Sequence, residues 1–437
     1  MSLPNREVFA ARRAALLERM GPGVAVIPAA PVFVRNNDVE HSYRQDSDFY
    51  YLTGFDEPES VLVLTNQHAE HRVVLFVRPR DPEREVWDGA RAGVEGAVEE
   101  FGADAAYPIA ELQQHLPDYL GDAGRVHCAI GRGHPFDGEL FEALHRVRRR
   151  ARQGVITPAE IVDPGVALHA MRLVKGAEEL AAMRAAAAVT AAAHRAGMRV
   201  AEPGRHEYEV QAELERVFRR GGAERSAYDS IVGSGPNATV LHYRTNRRRM
   251  EEGDLCLVDA GCELHYYASD VTRTFPVSGR FTAPQRILYE LVLAAQEASI
   301  ATCVPGKTLE DVHAASVDVL ARGLLELGLV EGSLDEVLQE EKYKPFYMHR
   351  TSHWLGMDVH DVGGYFAEGA PIPLQPGVVL TVEPGLYVAP DAEVDARWRG
   401  IGNRIEDDVV VRAGGAPENL SVDVPKTVAD VEAATQA

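Results

Sequence analysis

The amino-acid sequence predicts an α+β protein built from two domains. Its 437 residues exceed what one hydrophobic core ordinarily organises, so a division into two domains is expected. Up to about residue 170, apolar strand-like runs alternate with amphipathic helical stretches, which is typical of an α/β domain. Beyond that point, helices and antiparallel strands fall into separate runs. We therefore predict an α/β domain over residues 1–170, followed by a domain over residues 171–437 with an antiparallel sheet flanked by helices.

The first domain opens with an amphipathic helix, MSLPNREVFAARRAALLERM, which carries charges throughout. Three runs rich in β-branched residues follow and predict buried strands: GVAVIPA, SVLVLTN and HRVVLFVRPR. The stretch GELFEALHRVRRRARQG then predicts a helix. The alternation of strands and helices supports the α/β class.

The second domain begins with a long alanine-rich helix, AEELAAMRAAAAVTAAAHRAGMRV, which Pro203–Gly204 ends. EYEVQAELERVFRRGG predicts a second amphipathic helix, stopped by paired glycines. Alternating segments in DLCLVDAGCELHYYASDVTRTFPV predict antiparallel strands, and strands return in VVLTVEPGLYV and NRIEDDVVVR. Between them, helices are predicted from about Pro284 to Cys303 and from Thr308 to about Leu327.

Composition excludes several classes of partner. The formal net charge is −21, which repels phosphate backbones, so we expect no nucleic-acid partner. No run approaches the roughly eighteen apolar residues of a membrane span, and the N-terminus lacks the apolar centre of a secretory signal, so we expect no membrane association. The four cysteines form no CxxC pair, so reduced, packed thiols and a cytoplasmic location are expected.

Acidic residues interrupt apolar faces of the predicted strands. Alternation places Asp259 on one face with Leu255 and Leu257, and a hairpin turning near Leu264–His265 would bring Asp270 opposite Asp259. Two carboxylates at such close range repel each other, and a cation between them relieves the repulsion. A hydrogen-bonded aspartate and a separate surface aspartate are the alternative.

Two more acids have the same character. Glu383 ends the strand-like run VVLTVEP, and Pro384 holds it extended. In IGNRIEDDVVV, Arg404, Glu406 and Asp408 share one face. Each acid alone has an equally good structural explanation. The combination of all these acids with a histidine-rich segment favours a functional site.

Three histidines, His349, His353 and His360, crowd into the segment HRTSHWLGMDVHDVG. The first two have the spacing of a zinc-binding helix, but the glutamate that acts as general base in such a helix is missing. Gly356 and the short stretch after it predict loop and strand instead. Polar histidines at a sheet edge are the alternative to a site.

Four blocks in this order, VDAGCELHYYASDVTRTF, HRTSHWLGMDVHDVG, LTVEPGLYV and GIGNRIEDDVVV, resemble the signature of the pita-bread metallopeptidases. They most resemble the aminopeptidase P branch, which removes an N-terminal residue followed by proline. YRQDSDFYYLTGFDEPESVLVL resembles the N-terminal domain of that branch, and IVGSGPNATVLHY the beginning of its catalytic domain. The resemblance implies a C-terminal pita-bread catalytic domain and peptide substrates with proline at the second position. Arg350–Thr351 is a departure, since family members often carry small or apolar residues there.

The resemblance also implies a metal centre. Four carboxylates and one imidazole suit two divalent ions, and such a set favours manganese, although cobalt or zinc can occupy it. A hydroxide shared by the two ions would attack the carbonyl carbon of the Xaa–Pro bond. Carried over by position, the ligands are Asp259, Asp270, His353, Glu383 and Glu406.

Further site residues follow from the same resemblance. Glu383 doubles as a proton carrier, while His360 and His242 donate to the developing oxyanion. Arg404 orients a metal ligand or the substrate, and His349 lies on the substrate side. These residues complete the predicted catalytic set.

Two aromatic residues have weaker predictions. Tyr387 is expected either to lie next to the metal ligands without binding metal or to have a purely structural role. Trp87 resembles an aromatic that reaches a neighbouring subunit's site in the family, with core packing as the alternative. A homo-oligomer, dimer or tetramer, is expected.

Two rival functions remain at this point. Prolidase hydrolyses Xaa–Pro dipeptides and shares all five ligands, so the metal site does not separate it from an aminopeptidase. Arg350 would supply the charge that recognises a dipeptide carboxylate, unless it is a solvated surface arginine. A metal-free binding protein on the same fold is the rival from another class, although this chain lacks none of the ligands.

Overall fold

The computed structural model describes residues 6–436, and the chain divides between Met171 and Arg172 into two compact units. The first five residues of the predicted N-terminal helix lie outside the described range. From Arg6 onward the segment is helical, as predicted. One helix, Gly165–Leu173, spans the division.

The first unit is built on one mixed sheet of six strands. Its elements, numbered along the chain, are α1 (Arg6–Met20), β1 (Val24–Pro28), β2 (Val34–Asn36), β3 (Val39–Glu40), α2 (Ser47–Thr53), β4 (Val61–Thr65), β5 (Val73–Val77), α3 (Pro82–Asp88), α4 (Gly93–Glu99), β6 (Ala105–Pro108), α5 (Leu112–Leu120), β7 (Arg125–His127), α6 (Phe136–Arg149), β8 (Glu160–Val162) and α7 (Gly165–Leu173).

The strand order in this sheet is β6-β5-β4-β1-β7-β8. The central strand β1 pairs antiparallel with β4 and parallel with β7. The three predicted apolar runs form β1, β4 and β5, and their side chains are almost all buried. Burying both faces of these strands is what their β-branched composition predicts.

The second unit combines long helices with short strands. Its elements are α8 (Ala177–Val200), α9 (Glu207–Arg220), β9 (Arg225–Ser226), β10 (Ile231–Ser234), β11 (Leu255–Asp259), β12 (Cys262–Leu264), β13 (Tyr267–Ala268), β14 (Thr272–Pro276), α10 (Ala283–Thr302), α11 (Leu309–Glu326), α12 (Leu334–Gln339), β15 (Phe366–Ala367), β16 (Ala370–Pro371), β17 (Val379–Val382), β18 (Gly385–Tyr387), β19 (Gly402–Arg404), β20 (Asp407–Val410), β21 (Glu418–Asn419) and α13 (Val428–Gln436).

The predicted helices of this unit are present, and their ends follow local capping chemistry. Helix α8 begins after Gly176, whose N–H donates to the Glu179 carboxylate. Helix α11 begins at a capping box in which Thr308 and Asp311 satisfy each other's backbone N–H groups. Both helices bury one side against the main hydrophobic core of the unit.

The antiparallel strands bring several chain ends to one place. Strand β11 pairs with β10 and β14, and β17 pairs with β20. Asp259 is the last residue of β11, and Glu383 follows β17 directly. Glu406 stands between β19 and β20. The acids singled out in the sequence therefore lie at strand ends, where the regular ladder stops and side chains are free to converge.

The predicted hairpin between Asp259 and Asp270 is wrong in its register. Asp259 pairs with Thr272, and the connection folds into its own small hairpin of β12 and β13, with His265 and Tyr266 at positive φ in the turn. The two aspartates nevertheless come together because the backbone at Ser269 passes very close to Gly261. A Cβ on Gly261 would lie 1.8 Å from the Ser269 carbonyl oxygen, so only glycine permits this approach.

Two expectations about chain chemistry can be compared with the structure. All four cysteines are free and buried, which confirms the prediction of packed thiols. Within residues 6–436, no helix combines the length and the apolar character that crossing a bilayer requires.

Candidate metal centre

A cavity of about 1030 Å³ in the second unit gathers the predicted site residues. They come from β11, β14, β17, β19 and the loops beside them, as well as from the histidine-rich segment. That segment is a loop, as predicted, but the predicted strand is absent from it and only a single bridge joins Trp354 to Leu380. The predicted residues on the cavity wall are His242, Asp259, Asp270, His349, His353, His360, Glu383, Arg404 and Glu406.

Asp259 and Asp270 meet at one hydroxyl group. The Tyr228 Oη lies 2.6 Å from Asp259 Oδ1 and 2.5 Å from Asp270 Oδ1. A hydroxyl has one proton and donates to one carboxylate at a time, so the other short contact brings two oxygen lone pairs together unless a proton or cation intervenes. Burial raises the pKa of Asp259, and the neighbouring Asp270 raises it further, against the effect of Arg404.

Glu406 approaches the aspartates from the other strand pair. Thr272 Oγ1 donates to Glu406 Oε2 over 2.6 Å, and the Glu406 N–H donates to the Thr272 carbonyl. Burial raises the pKa of Glu406 well above its usual value, and Asp270 adds to the effect. A carboxylate in this position is costly unless a positive charge faces it.

His353 is oriented with one ring nitrogen toward the acids. Its Nδ1 lies 3.0 Å from its neighbour's carbonyl, that of Trp354, and therefore donates to it. Nε2 then faces Asp270 Oδ2 at 3.5 Å and Glu383 Oε1 at 3.6 Å. A histidine that ligates metal shows this arrangement, with the second nitrogen held by a backbone carbonyl. Single ligand atoms of Asp270, His353 and Glu406 all lie within 4.8 Å of one another.

Glu383 completes the set of four carboxylates. Burial raises its pKa to about 7, although His353 and Arg404 act to lower it. Burial acts to lower the pKa of His353, but the hydrogen bond to Asp270 and the charge of Glu383 raise it to about 9. The half-buried Glu383 therefore sits at the boundary between its charged and neutral forms near neutral pH.

Positive charge is scarce around these acids. In the part of the chain that the structure describes, Arg404 and His353 are the side chains that offer it to the four carboxylates. His349 Nδ1 is 3.9 Å from Glu383 Oε2, but burial lowers the pKa of His349 to about 3, so this ring is neutral. With all four carboxylates ionised, their charge of −4 exceeds the +2 of Arg404 and a protonated His353 by two. Its oxygen-rich donor set with one imidazole fits hard divalent cations.

Arg404 and His349 belong to one hydrogen-bond chain. Arg404 donates to Asp259 Oδ2 over 2.6 Å and to the Tyr387 hydroxyl over 2.9 Å. Tyr387 in turn lies 2.9 Å from His349 Nε2, and His349 Nδ1 lies 2.8 Å from the Arg350 carbonyl. Because Nδ1 must donate to that carbonyl, Nε2 accepts from Tyr387. The chain fixes the tautomer of His349 and supports the predicted place of Tyr387 near the ligands.

The remaining predicted histidines stand on the open side of the cavity. The ring of His360 lies 4.4 Å from that of His353 at 75°. Burial and the neighbouring His353 lower the pKa of His360. His242 also lines the cavity and is exposed. Both rings are within the space where a substrate would lie.

The structure adds residues that the sequence prediction missed. Tyr228 precedes β10 by only a few residues, but it lies 31 positions from Asp259 and no periodicity marks it. Asp408 accepts the Asp270 N–H, over 3.1 Å to Oδ2, although the prediction noted only the face that it shares with Glu406. Thr272 carries the link to Glu406, and no local pattern in the sequence marks it.

Two uncertain predictions are resolved in part. Trp87 is 84 % exposed, so core packing in this chain, the alternative considered for it, is wrong. Arg350 lines the cavity, but its exposed guanidinium is paired with Glu310.

Sequence comparison decides the family. Residues 181–413 match metallopeptidase family M24, and residues 9–127 match the aminopeptidase P N-terminal domain. The chain belongs to metallopeptidase family M24. The resemblance inferred from the sequence blocks is thereby confirmed, and with it the enzyme class, metallopeptidase.

Relatives of this M24 chain match along its whole length. It is 46% identical over 435 residues to the Xaa-Pro aminopeptidase of Escherichia coli strain K12, covering 99% of this chain and 98% of that one. The structure of aminopeptidase PepP from Pseudomonas aeruginosa superposes with a TM-score of 0.98 at 51% identity, over 100% of this chain and 99% of that one. Zn-substituted aminopeptidase P of E. coli in complex with product superposes with a TM-score of 0.96 at 45% identity, with the same coverage. The predicted fold, an N-terminal domain followed by a pita-bread domain, is confirmed.

Proposed function

We propose that this M24 chain is a dinuclear metal-dependent Xaa-Pro aminopeptidase, which hydrolyses the bond between an N-terminal residue and a following proline. The observation that carries the proposal is the buried cluster of four carboxylates and one imidazole on the wall of an open cavity. The relatives named Xaa-Pro aminopeptidase support the substrate class. The long match on both domains supports it as well.

The candidate ligands fit two divalent ions, because the cluster lacks the positive charge that two such ions would bring. The oxygen-rich donor set favours manganese, and cobalt or zinc can replace it in vitro. The proposed ligands are Asp259, Asp270, His353, Glu383 and Glu406.

When bound, two such ions would supply Lewis acidity, which lowers the pKa of a bound water and polarises the carbonyl of the scissile bond. Glu383 would accept a proton from the attacking water at its carboxylate and return it to the proline nitrogen. His360 and His242, both on the open side of the cavity, donate hydrogen bonds to the carbonyl oxygen as negative charge develops. Each role uses a side chain that already lines the cavity.

Arg404 and His349 position other groups. Arg404 holds Asp259 from the side opposite Tyr228, so that the carboxylate keeps one orientation. The neutral His349 ring is fixed by Tyr387 and forms the cavity wall beside Glu383. We infer that His349 shapes the space for the substrate and does not transfer protons, because its pKa near 3 keeps it neutral.

The environment of Arg350 favours an aminopeptidase over a prolidase. A dipeptidase must match the carboxylate of its substrate with an unpaired cation or equivalent donors. Arg350 is exposed and its charge is matched by Glu310. The metal-free binding protein is disfavoured by the cost of keeping four carboxylates buried together when, among residues 6–436, only Arg404 and His353 offer them positive charge.

Assembly and location are further parts of the proposal. Trp87 and the adjacent Val86 are both exposed and form a continuous apolar stretch, and such patches are a feature of contact surfaces, which supports a homo-oligomer. We propose a dimer or tetramer, which light scattering after gel filtration will test. The free, buried cysteines support a reducing, cytoplasmic location.

The experiment that tests the activity compares three substrates with metal-stripped and manganese-loaded protein. An Xaa–Pro–Xaa tripeptide is expected to be cleaved only by the loaded protein, with higher kcat/KM than an Xaa–Pro dipeptide. A tripeptide with alanine in place of proline controls for proline specificity. Faster cleavage of the dipeptide would instead make this chain a prolidase, and no cleavage of any peptide would refute the proposal.

A further inference from the structure

The mouth of the cavity carries one cation whose charge is not matched. Arg244 lines the cavity and is exposed, so it lies where the cavity opens to solvent. Its guanidinium makes no hydrogen bond or ion pair with any residue in the range 6–436. The other exposed cation of the mouth, Arg350, is paired with Glu310, so these two charges cancel.

Arg244 also stands in unusual surroundings for this protein. The segment RTNRRR, residues 244–249, holds four arginines in six residues, while the chain as a whole carries a net charge of −21. Two of them have structural partners: Arg248 pairs with Asp254, and Arg249 Nε donates to the Gly204 carbonyl. Arg244 differs from these two because its guanidinium has no partner among the described residues, 6–436.

The proposed activity sets the direction in which a peptide lies. Only one residue precedes the scissile bond at the proposed metal centre, so the chain beyond proline leads from that centre towards the opening of the cavity. Arg244 lies at that opening. A negative charge on that part of the peptide would meet the unmatched guanidinium there.

We propose that Arg244 is a specificity-determining residue that selects substrates with a carboxylate beyond the proline. This inference rests on the proposed Xaa-Pro aminopeptidase activity and names the class of peptide that the same site prefers. The carboxylate is either an acidic side chain after proline or the C-terminal carboxylate of a short peptide. An exposed ion pair of this kind changes affinity by about two- to fivefold, and it weakens as salt is added.

The test uses C-terminally amidated peptides of sequence Ala–Pro–Glu–Ala and Ala–Pro–Gln–Ala with the manganese-loaded enzyme. The glutamate peptide is expected to have about two- to fivefold higher kcat/KM, mainly through a lower KM. In Arg244→Ala, the ratio of kcat/KM for the glutamate peptide to that for the glutamine peptide should fall to near one. The second arm compares Ala–Pro–Gln with a free C-terminus and Ala–Pro–Gln with an amidated C-terminus. It shows whether Arg244 recognises the C-terminal carboxylate of a short peptide as well as an acidic side chain.

Arg247→Ala is the matched control, because Arg247 is an exposed arginine of the same segment that does not line the cavity. It should keep the wild-type ratio. The inference would be overturned if the wild type cleaved the charged and neutral peptides of both arms with equal kcat/KM, or if Arg244→Ala kept the wild-type preference. Cleavage of the neutral peptide would in either case still support the proposed function. If neither peptide is cleaved, the proposed function fails and this inference fails with it.

Discussion

Glu406 and Asp407 are adjacent in the sequence and both are buried, but their surroundings are opposite. Asp407 Oδ1 pairs with the fully buried Arg273 over 2.6 Å, and Oδ2 with Lys426 over 2.8 Å. Burial acts to raise the pKa of Asp407, but these two cations hold it well below its usual range. Burial and the neighbouring Asp270 raise the pKa of Glu406 well above the usual value for a glutamate.

The contrast shows that charge balance, and not burial, separates the scaffold from the site. Around Asp407, hydrogen bonds from Gln296, Asn419 and Ser421 satisfy the remaining lone pairs. This carboxylate is complete within the chain, as buried ion pairs must be. The cluster around Glu406 is incomplete, and we propose that metal ions supply the missing charge.

The largest effect is expected where the incomplete cluster loses a ligand. Glu406→Ala should abolish turnover and lower the metal content, because one proposed ligand and one negative charge disappear. Peptidase assays and elemental analysis measure both. Circular dichroism must show an intact fold, and full turnover by this variant would rule out the dinuclear centre.

The neighbouring substitution should act on stability. Asp407→Ala leaves Arg273 buried without its partner, and breaking a buried pair costs about 3–5 kcal/mol. Urea unfolding of the metal-free protein measures the loss, with Asp407→Asn as a milder companion. Glu406→Ala is the matched control and should show no comparable loss, since it removes repulsion. Equal losses of unfolding free energy in Asp407→Ala and Glu406→Ala would contradict the difference proposed between the two residues.

The histidines allow the same distinction within the cavity. His353→Ala should lose metal, whereas His360→Ala should keep metal and lose about 10²–10³ in kcat, the contribution typical of an oxyanion donor. Metal content and steady-state kinetics separate the two. A metal-free His360→Ala protein would show that the roles are exchanged.

The smallest effect is expected at the exposed pair. Arg350→Ala should change the ratio of tripeptide to dipeptide kcat/KM little, because solvent screens the ion pair with Glu310. A strong dipeptide preference in the wild type that disappears in this variant would turn the assignment to prolidase.

Periodicity and turn chemistry were enough to predict the main strands and the six longest helices, which became α1, α6, α8, α9, α10 and α11. They also placed Glu406 and Asp407 on opposite faces, because side chains alternate along extended chain. The pairing of Asp259 with Thr272 could not be predicted from the sequence, because it depends on the small β12–β13 hairpin and on the contact between Gly261 and Ser269.

Long-range partners were equally hidden from the sequence. Tyr228 reaches Asp259 and Asp270 only in the folded chain, and no local pattern marks a tyrosine for this contact. The balance of charge around Asp407 depends on Arg273 and Lys426, which lie far from it in the sequence or on a different element. The sequence was sufficient to predict which residues carry chemistry, but the structure was needed to show which side chains pair with one another.

The most direct test of the central claim is the number of metal ions that each chain binds. Equilibrium dialysis of the metal-stripped wild-type protein against manganese, followed by elemental analysis, should give two ions per chain, with peptidase activity rising as the sites fill. Asp407→Asn should bind the same number once folded, and Glu406→Ala fewer. Full Xaa–Pro–Xaa cleavage by protein free of metal, or unchanged metal binding by Glu406→Ala, would contradict the account.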